Sequence, residues 1–448
     1  MKKIVAAILC LLVAASCAAC AKDTPVPRPS GYDPSGNQFE NSGKLPESEE
    51  NTAVNEEKPA MLTVEQLLKL TPQNMLGCAE FDIAKFTKPF YESQIQYNEG
   101  FFLLENASGG TDAVRLAFPA AKILEVRSND LSVLYEEGKD YVLNADGTLS
   151  VPAGSAIKPL ARSEFFLSSG QWSEEEGPVT NTVGTMYKGH YVVTYIRTEE
   201  YSGTTANRGK EKLSTFTEKA KEGESLEILV MGDSIAAGAG VKDFPNWAET
   251  MRRGIEYYAG CTATLFNTAV PGIHSGEYIG LIDGNVDAVS SNIRDDAVKK
   301  FAVTEAHKAT ADLVVIAIGG NDAGGWCGPN GTAVTTYKAN VEKMISYIRA
   351  ANPDCSILLV SCMQTNPKIF DTNTKNKLAA ASFREYENAL GEIANSQENV
   401  ALANVFGVEN ELLFNKNIED MLGDNINHPS DYMSRIYAQV VLATLFDL

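Results

Sequence analysis

Basic residues are scarce in this sequence: 38 Lys and Arg stand against 58 Asp and Glu, for a formal net charge of −20. Binding to phosphate backbones needs Lys and Arg in excess, so nucleic acid is excluded as the main partner and the acidic balance reads as a solvated surface. Histidine is scarcer still, with four in 448 residues, His190, His274, His307 and His428. Past the first twenty residues, no stretch reaches the ~18 consecutive apolar residues of a membrane-spanning helix. No GxGxxG follows a strand: Gly238 and Gly240 lack the third glycine at the right spacing, which argues against a dinucleotide site. Five cysteines lie in the body of the chain, Cys78, Cys261, Cys327, Cys355 and Cys362. Their odd number and spacing fit neither a disulfide framework nor a zinc site, and they read as small buried side chains. Cys355 and Cys362 flank a predicted strand, and their pairing stays open. No cluster of His, Cys and Asp calls for a metal, and no cofactor is expected.

The N-terminus has the pattern of an export signal. Lys2 and Lys3 precede an apolar run from Ile4 to Ala15, too short to span a bilayer. The run ends in Ala14-Ala15-Ser16-Cys17-Ala18-Ala19-Cys20, which resembles a bacterial lipobox, where a Cys becomes the lipid-bearing first residue of the mature protein. Cys17 and Cys20 compete for that role, and Cys20 is favoured because the small residues extend to it. An ordinary secretory signal is the alternative. Residues 1–20 are thus expected to be a lipoprotein signal peptide. Residues 21–60, rich in Pro, Gly, Ser, Asn and Glu, read as a disordered linker, because almost nothing in them can form a core. The expected location is the outer face of the cell membrane, reached only through the lipid anchor, or the secreted fraction.

Residues 61–205 carry short strand-like stretches at 123–126, 131–135, 141–143, 149–151 and 191–197, after a possible short helix at 62–70. Asn144-Ala145-Asp146-Gly147 is a turn signal between two of them. Strands at this spacing predict a β-sandwich module. No motif in it carries chemistry. It reads as a packing or substrate-positioning module, or else as a sugar-binding one.

From residue 206 onward the pattern changes. Apolar runs at 226–231, 263–270, 313–318, 357–361 and 400–405 alternate with helical stretches. Val341, Met344, Ile345 and Ile348 form the stripe of a half-buried helix, and 431–446 reads as another. Five apolar strands separated by helices predict a parallel sheet covered on both faces, an α/β fold. In such sheets reactive groups sit on loops at the carboxyl ends of strands.

Four blocks occupy such positions. Gly232-Asp233-Ser234-Ile235-Ala236-Ala237-Gly238 follows the first run, and Asn267-Thr268-Ala269-Val270-Pro271-Gly272 closes the second. Gly319-Gly320-Asn321-Asp322 follows the third, and Gly423-Asp424-Asn425-Ile426-Asn427-His428-Pro429 precedes the last helix. A serine hydroxyl needs a base to become a nucleophile, and the attack needs donors aimed at the developing oxyanion. A glycine N–H on a tight turn and an asparagine amide are suitable donors. His190 lies in the β module and His307 in a polar helical stretch, which leaves His274 and His428 as bases. Read singly, GDS is also what a capped strand-to-helix turn looks like, GGND a glycine turn, and His428 a loop residue.

Together the blocks resemble the SGNH, or GDSL, hydrolase superfamily, whose Ser, Gly, Asn and His blocks occur in this order. The resemblance covers the chain from about Leu226 to its end. It implies a three-layer α/β/α fold with a five-stranded, flavodoxin-like parallel sheet, here preceded by the β-sandwich. It implies Ser234 as nucleophile and His428 as base, with the Ser234 and Gly272 N–H groups and the Asn321 amide forming an oxyanion hole. The family has Asp three residues before the His. Asn425 stands there in this chain, and Asp424 lies one residue earlier, so the catalytic acid is expected to be Asp424, or else the site is a dyad. Trp326 reads as lining an acyl or sugar pocket or as a packed aromatic, and His274 as a pocket-wall or structural residue rather than a base.

What the resemblance implies for activity is an esterase working through a serine acyl-enzyme, with an acylated glycan or small ester as substrate. The preceding β module resembles the arrangement in acetylxylan-esterase-like proteins, so deacetylation of an O-acetylated polysaccharide such as xylan is expected. An acetyltransferase with the same site and an inactive glycan-binding lipoprotein are the alternatives.

Overall fold

The computed structural model describes residues 60–448 apart from 71, 168–171, 175–176, 207–209, 325–330, 372–375, 378–382 and 447. The signal peptide, most of the linker, Cys17, Cys20, Trp326 and Cys327 therefore lie outside the described residues. Residues Ala60–Leu448 form one compact unit.

Antiparallel pairing dominates the first part. Strands β1 (Ile95–Phe102), β2 (Ala120–Ser128) and β3 (His190–Arg197) form one sheet in the order β1-β3-β2. Phe101, Ile123, Val126, Tyr191, Val193 and Tyr195 pack into one core with Leu149 and Ile157. The short hairpin Val142–Leu143 with Leu149–Ser150 lies where the Asn144–Gly147 turn was expected. One sequence expectation shifts here, and one strand was not anticipated. The stretch at 131–135 is not a strand and keeps only an isolated bridge from Leu134 to Arg127. Strand β1 escapes periodicity because Asn98 takes a positive φ of 44° and the register to β3 slips between Gln96 and Glu99. Such a bulge breaks the alternation of faces on which a strand is recognised.

The second part forms the expected parallel sheet. Its strands are β4 (Ser225–Gly232), β5 (Thr262–Asn267), β6 (Leu313–Ala317), β7 (Ser356–Val360) and β8 (Val400–Ala403). They run in the order β8-β7-β6-β4-β5, and all neighbours are parallel. Side chains alternate between two cores. Ile228, Val230, Leu313, Val315 and Leu358 enter one, and Leu229, Met231, Val314, Ile316 and Leu359 enter the other. The first core is covered by α1 (Trp247–Ala259), with α6 (Val405–Leu413) and α7 (Asp431–Leu445). The second is covered by α2 (Ser275–Ile282), α3 (Arg294–His307), α4 (Val334–Ala351) and α5 (Phe383–Ser396). This is the three-layer α/β/α architecture. The chain runs from β4 to β5 on one side and then crosses back past β4 to β6 on the other, so the carboxyl end of β4 is a switch point, where open α/β sheets hold ligands.

Helix α7 departs from the half-buried reading: all fifteen of its residues are buried. One side packs on the parallel sheet, and another meets the antiparallel sheet. A Cβ on Gly100 would lie 2.5 Å from Cβ of Tyr432, and Arg435 donates to the carbonyls of Tyr97 and Asn98, both at 2.8 Å. A helix covered on both sides needs no polar face.

Below α7 lies a buried ion triad. Lys416 Nζ meets Glu99 Oε1 of β1 at 3.1 Å and Asp420 Oδ2 at 3.3 Å, and donates to the Gly100 carbonyl at 2.6 Å. Asp420 Oδ1 accepts the Phe102 N–H at 2.6 Å. The triad joins β1 to the segment that leads into the His428 loop.

Candidate active site

Strand β4 ends at Gly232, and the next residue turns the chain into a short helix. Asp233 is its cap: Oδ1 accepts the Ile235 N–H at 3.0 Å, which starts the helical turn Ser234–Ala237. Ser234 is therefore the first helical residue, and its N–H has no acceptor within that turn. Capping and nucleophile readings of GDS thus fall on adjacent residues.

The opposite wall is the 422–431 loop. It is closed by the Gly423 N–H on the His428 carbonyl at 2.9 Å and the Ser430 N–H on Met421 at 2.7 Å. Asp424 organises its interior. Oδ1 accepts the N–H groups of Ile426, Asn427 and His428 at 2.9, 3.1 and 3.1 Å. Oδ2 meets His428 Nδ1 at 2.5 Å, and His428 Nε2 meets Ser234 Oγ at 2.9 Å. A carboxylate on Nδ1 places the ring proton there and leaves Nε2 to accept from the serine hydroxyl.

Asn425, at the position where the family pattern has a carboxylate, is engaged elsewhere. It takes a positive φ of 66°, donates from Nδ2 to the Thr180 carbonyl at 3.2 Å and accepts from Asn366 Nδ2 at 2.9 Å. The left-handed residue adds a tight turn within the loop, and Asp424 one position earlier reaches the ring.

Gly272 and Asn321 come from the turns after β5 and β6. Gly272 has φ 87°, a conformation that favours glycine. Asn321 Nδ2 donates to the carbonyl of Ile273, the residue after Gly272, at 2.8 Å, and this bond uses one of its two amide protons. Asp322 fastens the same two turns: it accepts from Ser275 N–H at 3.0 Å and Ser275 Oγ at 2.6 Å. Nothing in the block pattern singled out Ser275, although a hydroxyl at the start of α2 is the signal that could have done so.

Burial works to lower the His428 pKa, but the hydrogen-bonded, charged Asp424 beside it outweighs this, with Asp233 adding to the pull, and the net direction is up. Burial likewise works to raise Asp424, and the His428 hydrogen bond, its charge and the backbone donors bring it below the usual carboxylate value. Asp233 is pushed up by burial to about 6.

The remaining histidines have other work. His274 Nδ1 accepts the Gly276 N–H at 3.2 Å and caps α2, so that nitrogen is occupied. His307 stacks on Phe266, with ring centroids 3.5 Å apart. His190 is buried in β3. Cys78, Cys261, Cys355 and Cys362 are free thiols, which settles the pairing of Cys355 with Cys362 against a disulfide. Among the described residues no group of three or more His, Cys, Asp and Glu side chains is placed to hold a metal ion.

No curated protein sequence matches the chain. Among solved structures, it is similar to a two-domain esterase active on acetylated mannans, with 19% identity, 54% of each chain covered and a TM-score of 0.37. The chain thus spans about half the length of that esterase. It is also similar to a lipase from a goat rumen metagenome, with 16% identity over 49% of this chain and 97% of the other and a TM-score of 0.35. A third is AlinE4, an SGNH-hydrolase family esterase, with 19% identity over 42% and 79% and a TM-score of 0.28. Residues 230–436 match the GDSL-like lipase/acylhydrolase family. Ser234, Gly272, Asn321 and His428 all lie within the segment that matches the GDSL-like lipase/acylhydrolase family.

Proposed function

We propose that this protein is a serine esterase that removes acetyl groups from an O-acetylated polysaccharide. The observation that carries the esterase reading is the continuous chain Asp424 Oδ2, His428 Nδ1, His428 Nε2, Ser234 Oγ, with spacings of 2.5 and 2.9 Å. As His428 Nε2 takes the hydroxyl proton, Ser234 Oγ attacks the ester carbonyl carbon, and the carbonyl π pair moves onto oxygen. The oxyanion is stabilised by the Ser234 and Gly272 N–H groups and the Asn321 amide. Asp424 stabilises the imidazolium without taking its proton. Collapse breaks the C–O bond to the sugar, and His428 returns the proton to the departing hydroxyl. Water then gives a proton to His428 and adds to the acyl carbon; collapse breaks the bond to Ser234 Oγ, which takes the proton back from His428, and the acetyl group leaves as acetate.

The glycan part of the reading is supported by the sequence. The export signal and lipobox-like Cys20 fit a tethered enzyme on the outer face of the membrane, where polysaccharides are met. The module at 61–205 ahead of a domain at 206–448 resembles the arrangement in acetylxylan-esterase-like proteins.

The test is acetate release by the chain without its signal peptide from acetylated xylan, acetylated mannan and a small acetyl ester. Release from a polymer, lost in Ser234→Ala, is the expected result. Turnover of the small ester alone would remove the glycan assignment, and turnover of none would remove the esterase reading.

A further inference from the structure

The 422–431 loop is held at three points by the N-terminal part of the chain. At its start, His190 Nε2 of β3 donates to the Leu422 carbonyl at 3.1 Å. In its middle, Asn425 Nδ2 donates to the Thr180 carbonyl at 3.2 Å. At its end, the Asp431 N–H donates to the hydroxyl of Tyr187 at 2.8 Å. That same hydroxyl donates to the Gly240 carbonyl at 3.0 Å. Gly240 belongs to the segment that follows Ser234, and Asp431 opens α7 three residues after His428. One buried hydroxyl thus bridges the serine side and the histidine side of the site.

The two sides touch closely enough for the bridge to matter. A Cβ on Gly240 would lie 2.5 Å from the Pro429 carbonyl oxygen and 2.7 Å from His428 Cβ, so backbone lies against backbone there. The supporting ring is fixed as well. Tyr187 packs on His190, with centroids 5.0 Å apart, and beneath the Lys242 ammonium at 5.3 Å. Burial pushes His190 down to about 4, and because the Leu422 carbonyl can only accept, the neutral ring carries its proton on Nε2.

We propose that the N-terminal module is part of the catalytic apparatus, with Tyr187 as the positioning residue that sets the approach of His428 to Ser234. The proposal rests on the esterase reading above. A proton transfer tolerates little displacement, and misplacement by ~1 Å reduces rates on the order of 10²-fold. Functional groups keep such geometry only when the residues behind them are locked. Tyr187→Phe keeps the ring and its packing, and leaves the Gly240 carbonyl without this donor and the Asp431 N–H without this acceptor.

The experiment measures kcat and KM on a small acetyl ester for the parent and Tyr187→Phe, with active sites counted by stoichiometric phosphonylation with a fluorophosphonate. The expected result is a fall in kcat per titrated site of about tenfold or more, with KM within about twofold of the parent. A folding defect alone would lower the number of titrated sites and leave the rate per site unchanged. An unchanged rate per site therefore overturns the proposal. If Tyr187→Phe gives no titratable protein, His190→Phe, which removes the donation to Leu422, is read by the same two criteria. A parent that neither turns over ester nor reacts with the phosphonate removes the esterase reading and the proposal with it, whereas an active parent with an unimpaired variant removes the proposal alone.

Discussion

Asp424 grips His428 from two directions. One carboxylate oxygen meets the ring Nδ1 at 2.5 Å, and the other accepts the His428 backbone N–H at 3.1 Å. The side chain that stabilises the imidazolium therefore also shapes the loop that presents it.

Asp424→Asn separates these two duties. An amide oxygen still accepts the loop N–H groups, so the fold is retained. The charge is lost, and the amide NH2 opposes the Nδ1–H tautomer. We expect kcat on a small acetyl ester to fall by about 10⁴-fold, with an unchanged circular dichroism spectrum. A loss under about tenfold would show that another group orients the ring.

The pH–rate profile follows from the raised His428 pKa. The base acts only when neutral, so kcat/KM rises with pH through the folded-state pKa, and its acid limb has a midpoint above the ordinary histidine value of about 6.5. With the Asp424 charge removed, burial is opposed only by the weaker pull of Asp233, and the limb of any residual activity moves to lower pH. A parent midpoint below about 6.5 would contradict the Asp424–His428 coupling.

Asn425→Asp restores the residue that the family pattern carries three before the histidine. In this loop the change is harmful. It removes the donor to Thr180 and places a second carboxylate beside Asp424. Leaving a buried carbonyl without its partner costs about 1–3 kcal/mol. Urea denaturation is expected to show a loss of this size, and ester turnover no gain.

Lys416→Met tests the joint between the two parts. With the ammonium gone, Glu99 and Asp420 remain buried and uncompensated. Breaking a buried ion pair by removing one partner costs about 3–5 kcal/mol. An unchanged urea midpoint would mean that the triad adds nothing to the junction between β1 and the 416–420 segment.

Much of this was legible in the residues. Apolar runs named all five strands of the parallel sheet, most directly β6 and β7, which are buried along their whole length. Ser234, Gly272 and Asn321 could then be placed after strand ends, and His428 ahead of the last helix. Three things could not be read. Asp424 and Asn425 could not be separated, because the choice turns on the positive φ of Asn425 and its bonds to Thr180 and Asn366, which are far away in sequence. The burial of α7 and the contacts of Tyr187 were equally hidden, since both depend on where the antiparallel sheet docks. Strand β1, bent at Asn98, carries no alternation to read.

Covalent labelling tests the central claim most directly. The parent protein and its Ser234→Ala and His428→Ala variants would be treated with a fluorophosphonate and the modified peptide identified by mass spectrometry. The account predicts a single adduct on Ser234 in the parent, none in Ser234→Ala, and labelling of His428→Ala slowed by orders of magnitude. No adduct in the parent, or an adduct on another residue, would contradict Ser234 as a nucleophile activated by His428.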